Sequence, residues 1–192
     1  MSSETRYENI LYEVERGRAR ITLNQPKRRN ALSLGMLTDL SDALWEADDD
    51  RSVHCVILRA EGPAFCAGYD LTPAPAKRQD DGVERRTGRG IDEDSWMLER
   101  NQRLMRALWE MHKPSIAQVH GNCLAGGTDL ALACDIRLMA DDAYVLAGYP
   151  RIGASPDGGM TWTLSQAIGY EKTMRFLIEN KTVTAAEALE LG

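Results

Sequence analysis

The sequence predicts an α/β domain in which a mixed or mainly parallel sheet is covered by helices. The prediction rests on alternating residues near the N-terminus, short segments that are apolar on both faces, and helical spacings between them. The chain has 192 residues, of which 43% are hydrophobic, so it can bury a substantial core. We interpret residues 1–192 as one domain.

The N-terminal part begins with a predicted β-hairpin. Residues 10–14 and 19–23 alternate between apolar and polar side chains, and Arg16-Gly17 forms the turn between them. A helix follows, with Ser33 as its N-cap. Its apolar residues recur at helical spacing: Leu37, Leu40, Leu44 and Ala47.

The middle of the chain alternates strands and helices. Residues 53–58 are β-rich and apolar on both faces, which favours a buried strand, and residues 116–119 give a second one. Between them, the spacing of residues 97–111 predicts a helix with a mostly apolar face. Residues 130–133 predict a short helix, and residues 136–139 predict a further strand.

Two segments are predicted from composition and capping rather than from periodicity. Residues 72–91 are rich in proline, glycine, aspartate and arginine, which predicts a mobile surface loop. The chain closes on a predicted helix, with a capping box of Thr184 and Glu187 and a terminal Gly192.

Charge and cysteine content argue against several classes of protein. The net charge of -6 and the pI near 5.2 give no electrostatic reason to expect nucleic acid or an anionic membrane as the main partner. The sequence has neither a signal-peptide pattern nor a run of about 18 apolar residues, so we expect a cytoplasmic protein. The four cysteines form no CxxC pair and no histidine stands at metal-ligand spacing, which predicts reduced thiols and no metal site.

Two turns rich in small residues follow predicted buried strands. The first contains Gly68 and Tyr69, and the second contains Gly126 and Gly127 and opens a helix. Backbone N–H groups in such turns, above all at a helix N-terminus, can stabilise an oxyanion. Each turn could supply one donor to the same carbonyl oxygen, as acyl-group chemistry requires. The alternative is a pair of tight packing turns.

Three stretches of the sequence carry a family resemblance. In chain order they are ITLNQPKRRNALS, AFCAGYDL and KPSIAQVHGNCLAGGTDLALACDIRLMADDA. In their strand and helix contexts they resemble the signatures of the enoyl-CoA hydratase/isomerase (crotonase) family. The resemblance implies a crotonase-like ββα spiral core with mixed or parallel sheets covered by helices. It also implies an acyl-coenzyme A thioester as the substrate and no separate cofactor.

The resemblance implies roles for individual residues. The thioester oxygen would accept hydrogen bonds from the backbone N–H groups of Tyr69 and Gly126. Family hydratases use two glutamates, whose positions here are occupied by Asp129 and Tyr149. Several isomerases, dehalogenases and ring-forming enzymes of the family have a functional aspartate at the position of Asp157. The residues implied to contact coenzyme A are Lys27, Arg28, Arg29, Ala31, Ala67, Asp70 and Leu71.

Each of these side chains also has a plainer interpretation. Asp129 is one methylene shorter than a glutamate, and Tyr149, with an ordinary pKa of about 10, donates hydrogen bonds but is no base at neutral pH. Asp157 fits a turn or a helix N-cap equally well, and the basic cluster fits a solvated turn. His120 could be a base and Cys66 a nucleophile, but neither has an identifiable partner, so packing roles are favoured.

The predicted activity is hydration of a trans-2-enoyl-CoA. The alternatives are double-bond isomerisation or another family reaction through Asp157, a CoA-ester-binding subunit without turnover, and a thiol-dependent acyl hydrolase using Cys66. Family members usually continue into further helices, so the resemblance implies that the C-terminal helical segment is truncated here. It also implies a homotrimer or hexamer.

Overall fold

The computed structural model describes residues 7–72 and 91–192. Within these ranges the α-helices are α1 (Leu34–Asp49), α2 (Ile91–Glu110), α3 (Gly126–Ala133), α4 (Met160–Ile168), α5 (Tyr170–Glu179) and α6 (Ala185–Leu191). The loop predicted for residues 72–91 lies outside the described residues, apart from its two end residues.

A five-stranded sheet carries the N-terminal hairpin at one edge. Its strands, in spatial order, are β1 (Ile10–Glu15), β2 (Arg18–Leu23), β3 (Cys55–Ala60), β5 (Ser115–Val119) and β7 (Ile136–Met139). Strand β1 is antiparallel to β2, and the other neighbours are parallel. The predicted hairpin and the predicted buried strands are therefore confirmed, with bounds that differ by one or two residues.

A second sheet consists of short strands. In spatial order they are β4 (Ala64–Cys66), β6 (Asn122–Leu124), β8 (Tyr144–Leu146) and β9 (Val183–Thr184). Strands β4, β6 and β8 are parallel, and β9 is antiparallel to β8. The sequence analysis did not predict these strands, because two or three residues are too few to show a period of two.

The two sheets alternate along the chain, which produces ββα repeats. Strand β3 is followed by β4 and α2, β5 by β6 and α3, and β7 by β8 and α4. The carboxyl ends of β4, β6 and β8 therefore lie at the same edge of the second sheet, where ligands of α/β proteins commonly bind. This arrangement confirms the predicted ββα core with mixed sheets and covering helices.

Helix α1 packs against the five-stranded sheet and begins where the sequence predicts. The Ser33 side chain accepts a hydrogen bond from the Met36 N–H at 3.1 Å, as an N-cap does. The buried residues of α1 join those of β2, β3, β5 and α2 in the larger apolar cluster. A smaller cluster contains Ala147, Tyr149, Met160, Leu164 and Phe176. Tyr149 therefore packs with residues of α4 and α5.

Helix α2 has two different halves. Its C-terminal half buries Met105, Ala107 and Leu108, whereas Trp96 and Met97 near its start are exposed. The apolar face predicted over residues 97–111 is thus buried in the second half only. Ile91, Trp96 and Leu98 in the first half are exposed.

The capping box predicted for the last helix is present. The Thr184 hydroxyl accepts from the Glu187 N–H, and the Glu187 carboxylate accepts from the Thr184 N–H at 2.8 Å. In the part of the chain that the structure describes, no helix combines the length and apolar character needed to cross a bilayer.

Candidate active site

The turn after β4 leaves one backbone N–H unpaired. Leu32 forms an isolated parallel bridge with Tyr69: the Leu32 N–H donates to the Gly68 carbonyl oxygen at 2.8 Å. The Asp70 N–H donates to the Leu32 carbonyl oxygen at 3.1 Å. Because successive residues of an extended segment point to opposite sides, the Tyr69 N–H points away from Leu32. Within the described part of the chain it has no acceptor.

The turn after β6 supplies a second such group. Gly126 is the first residue of α3, and the first N–H groups of a helix have no acceptor inside the helix. Ala125, which precedes it, has φ 47° and ψ -119°, a conformation that residues with a Cβ rarely adopt. The chain turns from β6 into α3 at this residue.

The turn after β4 and the turn after β6 lie in contact, and glycines at the contact leave room for this close approach. Gly68 has φ +94°, and a methyl group there would lie 3.0 Å from the Ala125 Cβ and 3.4 Å from the Gly126 nitrogen. A methyl group on Gly127 would lie 2.6 Å from the carbonyl oxygen of Cys66, so α3 approaches β4 this closely only with glycine there. The contact brings the two turns together, as a shared oxyanion site requires.

A cavity of about 910 Å³ opens beside the two turns. The predicted site residues on its wall are Ala67, Tyr69, Asp70, Leu71, Tyr149 and Asp157. The predicted site residues that do not line it are Lys27, Arg28, Arg29, Ala31, Gly126 and Asp129. Gly126 nevertheless adjoins the cavity, because Leu124 and Ala125 line it.

Asp129 lies behind Tyr149 rather than on the cavity wall. Its side chain is buried, with 1% of the residue exposed. One carboxylate oxygen accepts from the Tyr149 hydroxyl at 2.5 Å, and the other accepts from the Met160 N–H at 2.8 Å. Burial raises the pKa of Asp129 to about 6, although both hydrogen bonds oppose the rise. Burial and the nearby Asp129 also raise the pKa of Tyr149, so its hydroxyl remains a donor.

Asp157 is half-buried on the cavity wall and has an unsatisfied oxygen. Its Oδ1 is shielded from water and has no hydrogen-bond partner among the described residues. Its backbone carbonyl oxygen accepts from the Gln102 side chain at 2.7 Å, which ties this turn to α2. Burial raises the pKa of Asp157, and the Tyr149 hydroxyl opposes the rise. Asp157 thus lies on the cavity wall, although its Oδ1 is shielded from solvent.

The predicted basic cluster forms a short 3₁₀ turn, Pro26–Arg28. The Arg28 guanidinium donates to the Asp70 carboxylate at 2.8 Å, so two residues predicted to contact coenzyme A contact each other. Hydrogen bonds from Thr72, followed by the charge of Arg28, lower the pKa of Asp70. The side chains of Lys27 and Arg29 are exposed at the same turn.

Asn30 shapes the site, and the sequence analysis missed it. The residue is fully buried, and its Oδ1 accepts from the Gln25 N–H at 2.8 Å. Its side-chain amide donates to the carbonyl oxygens of Glu61 and Ala64 at 2.9 and 2.8 Å. These bonds join the basic turn to the segment that enters β4. The available signal was an asparagine at a turn, a residue type that tolerates the positive φ of 54° seen here.

Cys66 and His120 have packing roles, as the sequence analysis favoured. The Cys66 thiol is buried and donates to the Asn30 carbonyl oxygen at 3.1 Å, and burial raises its pKa to about 12. Such a thiol is not a nucleophile at neutral pH, which argues against the thiol-dependent hydrolase. A ring nitrogen of His120 lies 2.8 Å from the Gly62 carbonyl oxygen. Neither side chain lines the cavity.

The fold and the site define a ββα-repeat protein with two apposed backbone turns beside one large cavity. The profile of the enoyl-CoA hydratase/isomerase family matches residues 13–192. The chain belongs to this family, which confirms the resemblance drawn from its three stretches.

Curated relatives of the chain are named for different reactions of acyl-CoA thioesters. It is 38% identical over 189 residues to a Bacillus subtilis protein named for enoyl-CoA hydratase/isomerase, covering 96% of this chain and 67% of that one. It is 31% identical over 186 residues to a probable enoyl-CoA hydratase of Rhodobacter capsulatus, with 97% and 67% covered. It is 30% identical over 172 residues to the peroxisomal Δ(3,5)-Δ(2,4)-dienoyl-CoA isomerase of Arabidopsis thaliana, with 90% and 62% covered. The chain thus spans about two thirds of these relatives.

Solved structures agree with this assignment. The enoyl-CoA hydratase of Bacillus anthracis superposes with a TM-score of 0.82 at 28% identity, covering 96% of this chain and 68% of that one. A Thermobifida fusca protein named for enoyl-CoA hydratase and solved with acetoacetyl-CoA has a TM-score of 0.78 at 28% identity, with 95% and 71% covered. The comparisons support an enzyme of acyl-CoA chemistry without selecting one reaction.

Proposed function

We propose that this protein moves the double bond of an enoyl-CoA thioester, with Asp157 as the residue that carries the proton. One observation carries the proposal: Asp157 lines the cavity, whereas Asp129 does not, and both carboxylate oxygens of Asp129 accept hydrogen bonds inside the protein. The other carboxylate on the wall, Asp70, is paired with Arg28. One carboxylate beside the substrate suits isomerisation, because one group can remove a proton and return it to another carbon.

Family membership and solved relatives support an acyl-CoA substrate. The Thermobifida fusca relative was solved with acetoacetyl-CoA and also with CoA. In our proposal the thioester oxygen accepts hydrogen bonds from the N–H groups of Tyr69 and Gly126. The anionic part of coenzyme A lies toward the basic turn that contains Arg28. This chemistry requires no metal and no redox cofactor.

The reaction begins with a 3-enoyl-CoA. The Asp157 carboxylate removes a proton from C2, and the electron pair moves into a dienolate whose negative charge lies on the thioester oxygen. The two backbone donors stabilise that charge. The protonated Asp157 then delivers the proton to C4, which gives the 2-enoyl-CoA and restores the carboxylate. One proton changes carbon, so neither water nor an oxidant is consumed.

Hydration, the activity predicted from the sequence, requires more catalytic groups than isomerisation does. Two groups must hold and activate a water molecule, but the Tyr149 hydroxyl donates to Asp129 and its raised pKa prevents it from acting as a base. Asp157 would have to perform both tasks. We therefore expect hydration to be slower than isomerisation, and hydratase activity stays a prediction for the same assay.

The test compares two reactions in two matched variants. Purified protein is incubated with trans-3-hexenoyl-CoA and, separately, with trans-2-hexenoyl-CoA, which has the same chain length. The products are separated by chromatography, the isomers are identified against authentic standards, and the hydrated product is identified by its mass. We expect isomerisation to exceed hydration. Asp157→Asn should lower the isomerisation rate by about 100- to 10,000-fold, as loss of an acid/base group does. Asp129→Asn, an equally conservative change, should retain most of the rate.

Two outcomes would contradict the proposal. Hydration that survives in Asp157→Asn and is lost in Asp129→Asn would identify a hydratase that uses Asp129. Binding of both esters without any turnover would identify a CoA-ester-binding protein that has lost catalysis.

A further inference from the structure

We infer that the acyl group of the substrate is large and apolar, of roughly eight carbons or more rather than four, since each buried methylene adds to affinity. The inference rests on the proposed function and names the substrate class of the same cavity. The large apolar side chains on the cavity wall that the fold leaves exposed include Leu34, Leu71, Trp96, Leu98 and Ile152.

These side chains converge from separate parts of the chain. Leu34 begins α1, Trp96 lies in the exposed half of α2, and Ile152 ends the 3₁₀ segment Tyr149–Ile152. Trp96 is 70% exposed and Ile152 is 59% exposed, which is unfavourable unless a ligand or partner covers them. Uncovered apolar groups gathered on one concave surface are typical of a binding site.

The apolar wall is continuous with the groups that would perform the chemistry. Ile152 follows Tyr149 by one turn of the same 3₁₀ segment. Helix α2, which carries Trp96, is tied to the Asp157 carbonyl oxygen by the hydrogen bond from Gln102. A carbon chain whose thioester oxygen is held at the two backbone turns can therefore extend along this wall. An apolar chain is the part of an acyl-CoA that suits it, because the nucleotide and phosphates are charged.

Two arginines share the wall without changing this character. Arg100 and Arg151 line the cavity and are exposed. Their guanidinium groups can reach water while their aliphatic stems add to the apolar lining. A four-carbon acyl group would leave most of this surface uncovered, whereas a longer chain would bury it.

The experiment measures binding of saturated esters, which cannot isomerise. Dissociation constants of butyryl-, hexanoyl-, octanoyl- and decanoyl-CoA are determined by calorimetry below their micelle concentrations. We expect affinity to rise about two- to fourfold for each added methylene, at least as far as octanoyl-CoA. Adipyl-CoA, a six-carbon ester with a carboxylate end, should bind more weakly than hexanoyl-CoA.

A matched pair of tryptophan variants tests whether the acyl chain of the ester lies against Trp96. Trp96→Ala should flatten the dependence on chain length, because the longest esters should lose the most affinity. Trp162 is 66% exposed on α4 and lies outside the cavity wall, so Trp162→Ala should bind every ester like the parent protein. Neither tryptophan is buried, so both variants are expected to fold.

Each contrary result has a distinct meaning. Affinity that does not rise with chain length in the parent protein would overturn the inference, and so would a length dependence that Trp96→Ala leaves intact. Tighter binding of adipyl-CoA than of hexanoyl-CoA would replace the apolar class by a carboxylate-ended one. A steep length dependence in a protein that fails the isomerase assay would support the acyl class while removing the proposed reaction. Failure to bind any CoA ester would overturn both.

Discussion

Two carboxylates stand beside the same tyrosine, and their surroundings differ. Both oxygens of Asp129 accept hydrogen bonds inside the protein, whereas Oδ1 of Asp157 has no partner among the described residues and its side chain lies on the cavity wall. Burial raises the pKa of both groups, so a raised pKa does not distinguish them. Their positions do, because Asp157 lines the cavity and Asp129 does not. The comparison separates a carboxylate that supports the site from one that can react there.

The pH dependence of the rate gives the largest effect. Because Asp157 must be ionised to act as the base, kcat/KM for isomerisation should fall about tenfold per pH unit on the acid side. The midpoint should lie above the ordinary aspartate value of 3.8, since burial raises the pKa of Asp157. Initial rates between about pH 4 and pH 8 measure it. An acid limb that disappears in Asp129→Asn would assign the reacting group to Asp129 instead.

The next largest effect is expected on the free energy of unfolding of Asp129→Asn. Asp129 has a pKa of about 6 in the folded protein against 3.8 ordinarily, so its contribution to stability is present below 3.8 and lost as pH rises through about 6. Asparagine removes the buried charge and can still accept from the Met160 N–H. At pH 7 the variant should be more stable by up to about 3 kcal/mol, and the difference should vanish near pH 4.

Urea unfolding of both proteins at both pH values measures this difference. Comparing them at each pH cancels the carboxylates whose pKa values are lowered, such as Asp70 and Glu187, since both proteins contain them. A variant less stable than the parent protein at neutral pH would show that the ionised Asp129 is well compensated.

The smallest effect is expected for Tyr149→Phe, which tests whether the Tyr149 hydroxyl acts on both carboxylates. It removes the donor to Asp129, so the free energy of unfolding at pH 7 should fall by about 1–2 kcal/mol. The hydroxyl also lowers the pKa of Asp157, so the acid limb of the rate should move to higher pH. Denaturant unfolding and the pH–rate profile report the two effects. An unmoved acid limb would separate Asp157 from this tyrosine.

Local features of the fold could be predicted from the sequence, and long-range contacts could not. The hairpin and the Ser33 cap depend on neighbouring residues, and glycines mark the two turns directly. The Asp129–Tyr149 hydrogen bond joins residues 20 positions apart across elements whose packing no local pattern specifies. Asn30 is similar, because its carbonyl partners lie 31 and 34 residues further along the chain. The sequence therefore did not distinguish Asp157, which lines the cavity, from Asp129, which does not.

The backbone of Ala125 has a consequence for how this protein can evolve. Its φ of 47° and ψ of -119° are unfavourable for alanine by about 1–3 kcal/mol, and glycine would relieve that strain. Yet the alanine methyl group lies beside Gly68 and Gly148, and glycine at position 125 would lose these contacts and give the backbone before Gly126 more conformational freedom. We expect a change to glycine to stabilise the fold and to make the N-terminus of α3 more mobile. Selection for stability would therefore favour glycine at position 125, whereas selection for a rigid site would favour alanine.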